Sequence, residues 1–205
     1  PAELTEGDAA VVAHLEARGA TVTVVGTYEE SPHDPAQVAA DHDLLLLSVS
    51  LRLIDAAARY VRTATPLIFW EPQLLDATKF GRWGGWGSSR RHRQYIRIVV
   101  ADHPITAGIP VNQKFRVVYQ PDTFNVAHRP SGPGVQVLAK HLFGDDAALL
   151  VAEVGAELAN GQPAKARTVF LFWNHDTFHL STGEAIRLFD RAVDWALGLL
   201  PDDGA

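Results

Sequence analysis

The stretch Thr168-Val-Phe-Leu-Phe-Trp-Asn-His-Asp-Thr-Phe-His-Leu-Ser-Thr-Gly-Glu184 constrains the fold more tightly than any other part of the chain. Its first six residues read as a strand, and Val169–Trp173 within it is an uninterrupted apolar run, the pattern of a parallel strand buried on both faces rather than of a strand with one wet side. Asn174, His175 and Asp176 then make a polar crossover, and Ser181-Thr-Gly-Glu184 has the spacing of a capping box that opens a long helix. That helix is expected to bury Ile186, Leu188, Phe189, Val193, Ala196 and Leu197 and to end near Leu200-Pro201. A buried strand leading through a polar turn into a helix belongs to an open α/β sheet, where ligands collect at the carboxyl ends of the strands. Asn174–Asp176 is therefore the first place to look for a site.

The rest of the chain repeats the pattern. Thr5-Glu-Gly-Asp8 resembles a helix cap, Val11, Val12 and Leu15 recur at helical spacing, and Gly19 stops the helix. Thr21–Val25 reads as a short β-branched strand, and Asp34-Pro35 opens a brief helix. Asp43-Leu-Leu-Leu-Leu-Ser-Val-Ser50 is a second buried strand. A helix is expected over 51–63, and Pro66-Leu-Ile-Phe-Trp-Glu71 is the next strand. Helical connections of this length imply parallel pairing through right-handed crossovers. Gln94–Val100, Phe115–Tyr119, Val135–Leu142 and Ala147–Val154 follow closely as strands. The last two are joined by the turn sequence Gly144-Asp145-Asp146, which suggests an antiparallel extension of the sheet. The expected fold is thus α/β, a flavodoxin-like three-layer sandwich with a mainly parallel sheet and an antiparallel extension, spanning 1–205 as a single domain. A doubly wound sheet usually begins with a central strand, whereas the first element here is a helix. The expectation is that the centre is completed by a strand outside this sequence or rebuilt by a later one. Direct pairing of Thr21–Val25 with Asp43–Val49 would contradict this.

With 205 residues, 47% of them hydrophobic and 20% charged, the chain can bury a full core, and global disorder is excluded. The net charge of −6 opposes a general nucleic-acid binder, leaving Arg90–Arg93 as a weak argument for nucleic acid. No apolar run is long enough to cross a bilayer. The absence of cysteine removes disulfides, thiolate metal sites and a cysteine nucleophile together, but leaves the compartment open, cytoplasmic or secreted.

Two stretches carry a family resemblance. Ala101-Asp-His-Pro-Ile-Thr-Ala-Gly-Ile-Pro110 resembles a characteristic segment of the trehalose-utilization (ThuA-like) family. Arg167-Thr-Val-Phe-Leu-Phe, Asn174-His175 and Leu188-Phe-Asp-Arg-Ala-Val-Asp-Trp-Ala-Leu-Gly198 resemble its closing strand, its histidine turn and its terminal helix. The resemblance covers most of Thr5–Leu200 and implies the class I glutamine amidotransferase-like superfamily, with a flavodoxin-like core. It also implies a carbohydrate or related polyhydroxylated small molecule as ligand; no cofactor is expected. The chain departs from that pattern at two points. Glu71 stands where amidotransferases carry the strand-end cysteine, so glutamine hydrolysis through a thiolate is disfavoured. Asn174 stands where the family has a glycine before the histidine.

Each candidate residue has two readings. Glu71 can serve as a general base or hold a hydroxyl, or it can simply accept backbone N–H groups where the next helix begins. His175 can share proton transfer with Glu71 or be a hydrogen-bonded structural histidine. Asn174 and Asp176 would position a ligand beside it. His175 and His179 lie four apart but outside a helix, so no metal site is assigned. Ser48, Ser50 and Arg52 follow another strand; the serines suit capping of the next helix or, with Arg52, positioning an anionic or polyhydroxylated ligand. His103, between Asp and Pro, reads as a turn residue. Trp83 and Trp86, set among glycines and followed by Arg90, Arg91 and Arg93, can stack on sugar rings, mediate self-association or bind a partner, or pack on their own domain. Two functions follow: binding or acting on a polyhydroxylated small molecule, or a catalytically silent scaffold or assembly module.

Overall fold

A computed structural model describes residues 4–26, 34–51, 53–81, 89–128 and 132–200. The helices are α1 (Glu6–Ala17), α2 (Pro35–Ala40), α3 (Ile54–Ala57), α4 (Leu74–Thr78) and α5 (Gly183–Ala196), with a 3₁₀ turn at Tyr60–Arg62. The strands are β1 (Leu45–Leu47), β2 (Leu67–Phe69), β3 (Ser89–Arg93), β4 (Tyr95–Ile98) and β5 (Lys114–Arg116). They continue with β6 (Asp122–Asn125), β7 (Gln136–His141), β8 (Ala147–Ala152) and β9 (Thr168–Leu171).

Among the described residues, seven strands form one sheet in the order β1-β2-β9-β8-β7-β4-β5, and β3 and β6 form a separate two-stranded ribbon. β1, β2 and β9 run parallel, with Leu45 opposite Leu67 and Leu67 opposite Thr168. Every pairing from β9 to β5 is antiparallel. The fold is the expected mixed α/β sandwich, with the parallel part confined to three strands and the antiparallel extension larger than the sequence suggests. Two cores cover the two faces. Val11 and Leu15 of α1 and Leu188, Phe189, Ala192 and Val193 of α5 pack on one side with Ile68, Val169 and Leu171. Ala39, Ala57, Leu74 and Leu75 pack on the other with Leu45, Leu47, Leu67, Phe69 and Phe170. The alternation of neighbouring β2 residues between these cores is the two-faced burial that its apolar run predicted.

Local chemistry fixes the helix ends. Thr5 accepts the Asp8 N–H at 3.1 Å, and Gly19, at φ +91°, takes the left-handed turn after α1. Asp34 caps α2, with Pro35 in the first turn. The cap of α5 is Thr182, whose hydroxyl accepts the Ala185 N–H at 3.2 Å. The Ser181 hydroxyl instead donates to Thr177 O at 2.7 Å, so the cap stands one residue later than the expected Ser181–Glu184 box and, with Ala185 at its third position, is a single cap rather than a box. The helix expected over 51–63 breaks into α3 and the 3₁₀ turn. Its entry has no side-chain cap, since Leu53 occupies that position.

Residues 20–26 form no strand, and Thr21–Val25 does not pair with β1. α1 nevertheless docks firmly. His14 Nε2 lies 2.6 Å from Asp190, and Arg18 reaches Asp190 at 3.1 Å and Asp194 at 2.7 Å, tying α1 to α5.

Candidate functional site

β1, β2 and β9 all end at one rim, because parallel neighbours share their carboxyl ends. Ser48 and Ser50 follow β1, Glu71 follows β2, and Asn174, His175 and Asp176 follow β9.

Glu71 is 2% exposed. Burial raises its carboxyl above the ordinary range, opposed by the Gln73 N–H, which donates to Oε1 at 2.8 Å. The backbone contact where α4 begins is therefore present, and it falls on a carboxyl whose environment favours the protonated form. His175 and Asp176 are exposed and Asn174 is half-buried. Asn174 Oδ1 accepts the His175 N–H at 2.9 Å, and the Asn174 N–H donates to Thr177 Oγ1 at 2.9 Å. Thr177 in turn donates to Asp122 at 2.7 Å, fastening the crossover to β6. Glu71 and His175 thus leave the sheet at the same end, one buried and one exposed. Among the described residues no hydrogen bond links them.

The start of α1 crosses this rim. The Ser48 and Ser50 hydroxyls donate to the two oxygens of the buried Asp8 carboxylate, each at 2.5 Å. A Cβ on Gly7 would stand 1.9 Å from the His175 carbonyl oxygen, so only glycine lets the helix approach this closely. Asp8, which the sequence marks only as part of a helix cap, anchors α1 to the end of β1. The serines bond to it, and neither caps α3.

The second residue that sequence reasoning misses is Asn125 of β6, buried at 3% exposure. Its Nδ2 donates to Trp70 O at 2.7 Å and to Trp173 O at 2.5 Å, and its own N–H donates to Phe172 O at 2.7 Å. Trp70 precedes Glu71 and Trp173 precedes Asn174, so one carboxamide holds the carbonyls directly before both rim segments. The two indoles meet edge-on at 5.6 Å between centroids. The Asn125 carbonyl lies 3.1 Å from His141 Nε2. Burial lowers His141 to about 4, so it is neutral at pH 7, with its proton on Nε2 to meet that carbonyl. A single Asn in a polar strand carries no spacing signal that could have marked it.

The arginines of β3 turn back onto their own chain. Arg90 pairs with Asp146, whose other oxygen lies 2.6 Å from His128 Nδ1, and the Arg93 guanidinium sits 5.8 Å from the centroid of the exposed Phe143 ring. Arg52, Trp83 and Trp86 lie outside the described residues. His103 occupies a turn as expected, with its Nδ1 accepting the Ile105 N–H at 3.2 Å and its ring 5.1 Å from Trp195. Among the described residues, no cluster of His, Asp and Glu could hold a metal ion, and no helix is long and apolar enough to cross a membrane. A cavity of about 490 Å³ lies away from the rim, between α2 and the segment 59–65. Another, of about 360 Å³, lies at the opposite end of the sheet, beside Pro66 and Arg167. Volume alone does not make either the better candidate, because the buried carboxyl, the buried carboxamide and the strand ends all gather at the carboxyl rim.

Fold and rim together define a flavodoxin-like mixed α/β protein with a buried glutamate, Glu71, at the carboxyl end of β2. Among solved structures, the chain is similar to a protein from Parabacteroides merdae ATCC 43184 described as ThuA-like. The TM-score is 0.57 and the identity 14%, over 95% of this chain and 86% of that one. It is also similar to a cytoplasmic protein from Salmonella typhimurium, with a TM-score of 0.52 and 11% identity over 80% of this chain and 75% of the other. At these identities the likeness establishes the fold. No family model and no curated protein matches the sequence.

Proposed function

We propose that the chain is a single-domain, non-amidotransferase protein that binds or acts on a carbohydrate or related polyhydroxylated small molecule at the carboxyl rim of β1, β2 and β9. The observation that carries this reading is Glu71, a carboxyl buried at a strand end and biased toward its protonated form. Burial that favours the protonated form lets such a group donate a proton or a hydrogen bond to a hydroxyl, where a fully ionised carboxylate can only accept. His175, exposed on the neighbouring crossover, is its partner in proton transfer. Asn174, Asp176 and the lone pairs of Ser48 and Ser50 hold hydroxyl groups, and Arg52, Trp83 and Trp86 are the further ligand contacts. The substrate class rests on the ThuA-like resemblance.

The second reading is a silent scaffold. The closed Asp8–Ser48–Ser50 network and the burial of Glu71 favour it, because both use rim polarity within the chain. Titration of neutral mono- and disaccharides against amide chemical shifts separates the two. Binding predicts shifts at 48–50, 71–73 and 174–177, and at least about tenfold weaker affinity in Glu71→Gln, equivalent to about 1.4 kcal/mol. A rim unmoved by every sugar, in a protein whose size by light scattering rises with concentration, would replace the ligand reading with the scaffold.

A further inference from the structure

We infer that Lys114, Arg97 and Lys140, on one face of β4, β5 and β7, form a second site, independent of the carboxyl rim, that holds the phosphoryl group of a small phosphate ester. The first ground is register. Arg97 of β4 stands opposite Lys114 of β5 and opposite Lys140 of β7. Residues directly opposite in antiparallel strands share a face, so the three cations form one row across three strands. Ile96 and Ile98, which flank Arg97, pack in the core shared with α1 and α5, so the row points the other way. No residue of β4 or β5 belongs to the core on that other side. Lys114 is exposed there, and Arg97 and Lys140 are half-buried.

The second ground is the missing counter-charge. Like charges directly opposite one another destabilise a sheet. Protection of an edge strand accounts for Lys114, but Arg97 and Lys140 stand on strands paired along both sides. Lys140 meets the exposed Asp145 at 3.0 Å. That carboxyl is held below its ordinary range first by its hydrogen bond with Lys140, and Arg97 adds to the effect. Among the described residues neither Arg97 nor Lys114 has an ion-pair partner, so one carboxylate serves three cations. Arg97 Nε is also shielded from solvent and meets no hydrogen-bond acceptor. A charged donor left in that state carries an uncompensated desolvation cost, which an acceptor brought by a ligand removes.

The row also selects its ligand. Two interstrand steps set its ends about 10 Å apart, close enough for three long side chains to converge on one group. A guanidinium offers a planar fork of donors, and each ammonium a point charge. A phosphate monoester returns three acceptor oxygens and close to two negative charges, where a carboxylate returns two oxygens and one charge. Tyr95 lies two residues from Arg97 on the same face, opposite Arg116, and gives the esterified part a ring to pack on. A long polyanion fits poorly. Residues 89–119 carry six Lys and Arg against one Asp, so the rest of a chain of net charge −6 carries −11 and repels a polymer that runs past the row.

The test titrates phenyl phosphate and inorganic phosphate into the full chain at constant ionic strength and follows amide chemical shifts. Saturable shifts are expected along β4 and β5 and at 139–141, with phenyl phosphate the tighter of the two. Arg97→Gln and Lys114→Ser should each weaken phenyl phosphate by at least about tenfold. Lys114 is exposed, so its variant carries the test even if Arg97→Gln fails to fold. The thermal midpoint of the native protein should rise with phenyl phosphate, and that of Lys114→Ser should rise less. The same shifts from sodium chloride alone, or an affinity unchanged in Lys114→Ser, would overturn the site and leave the row a solvated surface. Equal affinity for the two phosphates would overturn the ester in favour of free phosphate. Tighter binding of a single-stranded oligonucleotide that phenyl phosphate does not displace would assign the face to nucleic acid and overturn the inference too.

Discussion

The two borders of the sheet are built from opposite materials. β5, Lys114-Phe-Arg116, exposes both of its charged residues, and Arg116 turns its guanidinium to Tyr119 O at 2.6 Å and within 6.0 Å of the Tyr119 ring. β1 presents leucines, with Leu45 and Leu47 buried and Leu46 half-buried. Lysine and arginine on an edge strand keep a further strand from adding to it, and leucine does not. The charged border is protected against a further strand and the leucine border is not. The polar burial is divided in the same way. The parallel half gathers Asp8, Glu71 and Asn125 at its carboxyl rim, whereas the antiparallel half buries His141, a neutral group that supports Asn125 from behind. Both halves therefore bury hydrogen-bonded polar groups, but among the described residues the buried carboxyls, Asp8 and Glu71, belong to the parallel half alone.

The largest effect that could break this division is at Asn125. Asn125→Ala removes the donors from Trp70 O and Trp173 O inside the core. With about 1–3 kcal/mol for each buried acceptor left unmet, the expected loss is about 3 kcal/mol or more in urea unfolding. A loss below about 1 kcal/mol would mean that β2 and β9 hold their ends without the clamp.

His141 sharpens the contrast from the antiparallel side. Its folded pKa of about 4 lies below the ordinary 6.5, so between these values the unfolded chain binds more protons than the folded one. Stability is full above about pH 6.5, falls as pH drops toward 4, and loses up to about 3 kcal/mol from this group. His141→Gln, which keeps a donor for the Asn125 carbonyl, should flatten that acid limb. An unchanged limb in equilibrium unfolding between pH 4 and 6.5 would place the acid sensitivity elsewhere.

What the sequence discloses follows the same line. Leu44–Leu47, Leu67–Trp70 and Val169–Trp173 read directly as buried strands because burial on both faces writes itself as an unbroken apolar run. The ribbon does not: Ser89–Arg93 is arginine-rich, and Asp122–Asn125 has one apolar residue, Phe124, that reaches the core. Thr21–Val25 reads as a strand because propensity is local, whereas pairing is decided by what lies alongside. The rim is legible only in part. Glu71 and Asn174–Asp176 stand at strand ends that periodicity reveals, while Asp8 and Asn125 are brought in from a helix start and a polar strand with no local signature. Capping shows the limit at finer scale, since Ser181 and Thr182 are adjacent hydroxyl residues and only the backbone conformation selects between them. Thr182→Ala should cost about 1 kcal/mol and speed exchange of the Ala185 amide. Ser181→Ala should leave that amide unchanged, and equal acceleration in both variants would return the cap to the pair.

The smallest expected effect decides what the rim polarity is for. Glu71 has a raised folded pKa, so its contribution to stability is fully present below the ordinary carboxyl range and is lost as pH rises through the folded value. At pH 7 the buried carboxyl therefore destabilises the fold relative to a neutral group of the same shape. Glu71→Gln keeps an oxygen for the Gln73 N–H and removes the ionisation, so the variant should be slightly more stable than the native protein at pH 7 and equal to it at pH 4. A gain of stability that accompanies a loss of sugar affinity is the trade expected of a functional group held at a cost to the fold. Thermal midpoints of the two proteins at both pH values measure it. Lower stability of Glu71→Gln at pH 7 would mean that the ionised carboxylate supports the structure, which would leave the parallel rim no more specialised than the antiparallel half.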